Sequence, residues 1–249
     1  MGQGVGFKQR KNVNTCPLAV TILRHHTKRK ITEMGLFDFL IKQENLSEKL
    51  EGVGYFDLIQ DVEKKKFLKE KMDFDYNDDS NPYIGKGWLT FPNDFYISSV
   101  YKLAEYKNGS PTSDFRAFEV WASSLFRGEF VDYLQSAKVV FEKNGLTLEW
   151  KDEVFDENNK DKIHHRIAVN NKEYLIFSGQ VTRENMGQTM KIYLDSLRKI
   201  LNDTIKRQDK NFKVILVTQP EYVVFVLLES EMVNRFKKIL SLAKNEIEE

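Results

Sequence analysis

The chain has 249 residues, 41% hydrophobic and 30% charged, with 38 basic against 37 acidic side chains. Five Pro and 13 Gly exclude a collagen-like or low-complexity chain, and a single Cys excludes a disulfide framework or a cysteine zinc cage. No apolar run reaches the roughly 18 residues of a membrane span, and the length allows one or two domains with real cores in a reducing, cytoplasmic setting.

The charge is unevenly spread. Residues 1–33 carry Lys8, Arg10, Lys11, Arg24, Lys28, Arg29 and Lys30 against the one acid Glu33, so the remaining residues are mildly acidic. This basic segment lacks helical periodicity and the aromatics that would stack on bases, and its apolar stretch from Pro17 to Leu23 is too short for a secretory signal. It is expected to be a disordered leader, or an upstream extension of a frame that begins at Met34. An acidic body argues against nucleic acid as the main partner.

Helical spacing is expected over residues 37–50 and 55–72, where Leu58, Ile59, Val62, Phe67, Leu68 and Met72 recur beside a lysine-rich solvated face. Residues 73–88 are dense in Asp, Asn, Gly and Pro and read as loop. A short helix is expected near residues 94–109. A longer one, capped by Ser113 or Asp114, carries Phe118, Trp121, Leu125, Phe130, Leu134, Ala137 and Phe141, with Gly128 as a kink and Gly145 as its end.

Beyond Gly145 the period changes to two. Leu146, Leu148 and Trp150 alternate with polar residues, and an acidic loop over 152–161 leads to a strand over 163–169. Asn170 and Asn171, which tolerate positive φ, suit a tight hairpin into a strand over 173–177. Thr182 can cap a long helix through Met186, Met190, Tyr193, Leu197, Ile200, Leu201 and Ile205. Residues 212–217 and 222–228 are nearly continuous apolar runs, the pattern of strands covered on both faces. Ser230 opens a last helix through Met232, Phe236, Leu240, Ala243 and Ile247.

The expected fold is therefore α+β: a two-layer module with a five-stranded, mainly antiparallel sheet, in the order α-β-β-β-α-β-β-α. It covers residues 113–249, after a helical region over 34–112 and the leader over 1–33. That element order resembles the fold of type III secretion chaperones and of bacterial proteins with a YbjN-like domain. The resemblance implies a non-catalytic module that binds polypeptides, often as a dimer. It rests on order and lengths, so it carries over no functional residue.

No catalytic spacing is matched. His164-His165-Arg166 is the most enzyme-like cluster, but neighbours on a strand point to opposite faces, so both His cannot ligate one metal. Asp73, Asp75 and Asn77 alternate like the opening of an EF-hand loop, yet Asp78 stands where Gly is needed and Ile84 where the bidentate Glu belongs. Gly85-Lys-Gly87 lacks phosphate-loop spacing, no serine sits in a nucleophile elbow, and Tyr174-Leu175 after Glu173 breaks a nuclease pattern. No metal and no cofactor are expected.

Aromatics remain, as the side chains best suited to anchor an interface. The candidate binding residues are Trp88, Phe91, Trp150, His164 and Arg166. The first functional expectation is a bacterial cytosolic protein that binds a polypeptide in a chaperone, adaptor or toxin-immunity role, with no nucleic-acid or membrane partner and room for a homodimer. The alternative is a metal-dependent hydrolase that uses His164, His165 and nearby carboxylates.

Overall fold

Two antiparallel sheets, not one, organise the chain. The computed structural model describes residues 45–80, 86–91, 115–159, 162–220 and 222–248, all within the unit Glu44–Glu249. The first part of the helix expected over 37–50, up to residue 44, and the helix expected near 94–109 lie outside them. In chain order the elements are α1 (Leu46–Glu51), α2 (Val62–Asn77), β1 (Ala117–Val120), α3 (Ala122–Leu125), α4 (Phe130–Lys143), β2 (Trp150–Asn159), β3 (Lys162–Val169), β4 (Lys172–Gln180), α5 (Met186–Arg207), β5 (Phe212–Thr218), β6 (Val223–Glu229), α6 (Ser230–Leu240) and β7 (Ile247–Glu248). The first sheet runs β1-β6-β5-β7 and the second β2-β3-β4.

This corrects the expected five-stranded, two-layer sheet; the α+β class remains. The reason is α5, which stands where β4 and β5 would have had to meet. Asn202 on α5 accepts the Val214 N–H and donates to the Val214 carbonyl, both at 2.9 Å, so it satisfies an edge position of β5. On the same helix Ser196 Oγ donates to the Ile176 carbonyl of β4 at 3.3 Å. Where helix side chains hold its polar groups a strand edge is closed to another strand, and β5 is paired with β7 only farther along, at Leu216 and Val217.

The apolar runs in β5 and β6 are covered on both sides, as near-continuous hydrophobic strands require. Val214, Leu216, Phe225 and Leu227 face one core, with Phe118, Leu197 and the inner side of β3 and β4. Ile215, Val217, Val224, Val226 and Leu228 face a second core, built with Leu46, Leu50, Tyr55, Phe56, Leu68 and Phe236. Residues 45–80 and 86–91 therefore add a layer to the first sheet. Buried Arg116 ties that layer down: its guanidinium pairs with Glu229 at 2.9 Å and donates to the carbonyls of Tyr55 and Gly54.

Several local expectations shift for tertiary reasons. Residues 117–120, assigned to a helix by spacing, form β1 on the edge of β6. There Phe118 stacks on Phe225 with centroids 5.5 Å apart, a cross-strand aromatic pair that helical geometry could not make. Gly128, at φ 92°, then separates α3 from α4. Residues 73–77 are the last turn of α2, because Asp73 accepts from Ser47 and Tyr76 donates to the Leu242 carbonyl at 3.0 Å. The EF-hand-like alternation is thus wound onto a helix. The last helix stops at Leu240, since buried Asn245 bonds Leu89 and the Thr218 carbonyl and feeds Ile247 into β7. Among the described residues no helix is long and apolar enough to cross a membrane.

Candidate functional site

The three-stranded sheet carries the chemistry. Its hairpin turns on Asn170 and Asn171 at φ 44° and 63°, the left-handed conformation that Asn accepts most readily among non-glycine residues. Three register shifts sit beside the middle strand, two in β2 (the second between Asp156 and Asn159) and one in β4. Between Lys151 and Val154 the register of β2 shifts, with Asp152 at φ 53°, and β4 gains Ile176 between the partners of His165 and Arg166. Bulges re-aim side chains. Here the first turns Phe155 inward opposite His165, reversing the alternation that Trp150 began. The region assigned to an acidic loop is thus a strand as far as Asn159.

His165 points into the core and is 0% exposed. Its Nε2 lies 3.0 Å from Glu153 Oε1 and its Nδ1 3.2 Å from Tyr193 Oη, while Phe130 and Phe155 present ring edges at 5.4 and 5.0 Å. Burial holds the imidazole neutral, with its pKa lowered to about 4, and the neighbouring His164 adds to the effect. Burial raises the Glu153 carboxyl, helped by Asp132, and it also raises the Tyr193 phenol, helped by Glu153 and Glu157. With Glu153 ionised, Tyr193 donates to Nδ1 and the Nε2–H donates to the carboxylate. Both ring nitrogens of His165 thus have a partner, as a buried polar group requires.

His164 lies on the opposite, solvent-facing side with Arg166; its Nδ1 is 3.3 Å from Ser178 Oγ. The strand separates the two histidines, so they cannot act in one site. Among the described residues no group of three His, Cys, Asp or Glu is arranged to hold a metal ion. The outer face holds a hollow of about 660 Å³ lined by residues that include Asp152, Val154, His164, Arg166, Glu173 and Leu175. Leu175 is 63% exposed. A smaller hollow of about 340 Å³ adjoins it at Asp156, Lys162 and Ser178.

The candidate residues named from sequence thus separate. His164 and Arg166 share the hollow. Phe91 is 2% exposed with its ring 6.2 Å from Tyr55, inside the second core. Trp88 is half-buried, and Trp150 is half-buried against the first core with Lys138 Nζ 5.8 Å from its ring. The tryptophan most open to solvent is Trp121, 44% exposed and 5.8 Å from the Tyr222 ring, although it falls in the helical period shared by Phe118 and Leu125. Sequence reasoning missed Glu153 and Tyr193, because the bulge that brings Glu153 to His165 leaves no mark in a two-residue period. Val154 and Leu175 were missed because their common face depends on strand register. Comparison of the chain with family models, with curated proteins and with solved structures found no match, so the site is argued from its own residues.

Proposed function

We propose that the protein is a polypeptide-binding module and that the solvent face of the three-stranded sheet is its binding surface. One observation carries the reading: a concave stretch of that face sets the exposed Leu175 and the half-buried Val154 around Arg166, which makes no ion pair with any described residue. An exposed leucine alone is ordinary. An apolar pair around an unneutralised guanidinium offers both desolvation and a directional donor, the combination found at interface hot spots. The histidine that has a carboxylate and a phenol at hydrogen-bond distance is sealed beneath the same sheet, where it supports the surface and does not meet a ligand. The alternative metal-dependent hydrolase would need His164 and His165 on one side of β3.

The test is a photo-crosslinking side chain placed at position 175 in cells of the source organism, with position 62 of the exposed α2 start as control. A discrete protein adduct from position 175 and none from position 62 is the expected outcome. Equal labelling from both positions, or none from 175, would remove the reading.

A further inference from the structure

The chemistry of the outer face narrows what it can hold. Val154, Arg166 and Leu175 are direct cross-strand partners, so the three side chains form one row across β2, β3 and β4, with the cation in the middle. No carboxylate stands at either neighbouring position of that row. The acids of the hollow, Asp152 and Glu173, lie toward the Ala168 end: Glu173 is the cross-strand partner of Ala168, next along this face of β3. On the other side of the row come Asp156, His164 and Ser178, which are also direct cross-strand partners, with His164 Nδ1 3.3 Å from Ser178 Oγ. The row therefore has a cationic centre with apolar neighbours, and acids lie on both sides of it, Asp156 beside His164 and Glu173 beside Ala168.

We propose that the occupant is a polypeptide segment with a carboxylate flanked by apolar side chains, the carboxylate on Arg166 and the apolar groups on Val154 and Leu175. This rests on the binding reading above and deepens it. A guanidinium offers paired N–H donors that match a carboxylate. The flanking apolar contacts shield that pair from water, which strengthens it relative to a rim ion pair.

The experiment is selection of phage-displayed random 12-residue peptides on the full-length protein. Synthetic copies of the winners are then titrated by fluorescence polarisation against wild type and the variants Arg166→Gln, Arg166→Glu and Leu175→Asp. All three changes are on the solvent face, and matching thermal unfolding confirms that each variant folds. The expected winners carry Asp or Glu between apolar residues. They lose about tenfold or more with Arg166→Gln and weaken as salt rises, and Arg166→Glu selects Lys or Arg in their place. Winners without acids, or with binding unchanged by Arg166→Gln, overturn the carboxylate assignment. If such winners still need Leu175, the binding face itself survives. Failure to select any peptide, or winners indifferent to Leu175→Asp, removes both.

Discussion

Asn202 and Val214 are joined by two hydrogen bonds of 2.9 Å, the side-chain amide of one satisfying both backbone groups of the other. A helix residue thus stands in for a strand at the edge of β5. The pair explains why five sequence-predicted strands divide between two sheets. Replacing Asn202 by Leu leaves the Val214 N–H and carbonyl unpaired and should cost about 1–3 kcal/mol. Urea unfolding measures the loss. The bared edge should also promote self-association, visible by light scattering as a concentration-dependent rise in mass.

Acid should destabilise the protein through His165. Its folded pKa, about 4, lies below the ordinary value of 6.5, so its contribution to stability is complete above pH 6.5 and drains away as pH falls toward 4. The shift corresponds to about 3 kcal/mol. Glu153 and Tyr193 face it, His164 acts on it by charge from the other side of the strand, and Asp132 and Glu157 lie beyond. The raised carboxyl of Glu153 acts with the opposite sign, since protonating it relieves a burial penalty, so it offsets part of the loss. Urea midpoints between pH 7.5 and 4.5 should fall in the wild type and fall more steeply in Glu153→Gln. A flat profile for the wild type would contradict the neutral, buried imidazole.

Arg116 is 2% exposed and bonds Glu229 and two carbonyls of the turn before α2. Arg116→Ala strips those acceptors of their donor and is expected to cost about 1–3 kcal/mol. Lys172→Ala, which breaks an exposed pair with Asp203, should leave the unfolding midpoint close to that of wild type. Comparing the two by denaturant unfolding separates a buried guanidinium that joins two layers from a surface ion pair.

Trp121 stands more open to solvent than Trp88 or Trp150. Trp121→Phe should therefore remove most of the iodide-quenchable tryptophan fluorescence while leaving the unfolding midpoint within about 0.5 kcal/mol of wild type. Unchanged quenching would place the exposed indole elsewhere.

Local chemistry settled much of this protein without tertiary information. The Asn170-Asn171 turn, the strands at 163–169 and 212–217, and the long helix through Tyr193 follow from turn propensity and apolar period, because each depends on neighbours a few residues apart. The continuous apolar runs of β5 and β6 likewise announced cover on both faces. Three decisions needed the packed chain. Residues 117–120 extend because β6 offers them an edge and Phe225 a ring, and α5 divides the strands because Asn202 meets Val214 only once both are in place. The side on which Glu153, Val154 and Phe155 emerge is set by a bulge. Pairing register joins residues far apart in the chain, and one inserted residue exchanges the faces of everything after it, so no local period can report it.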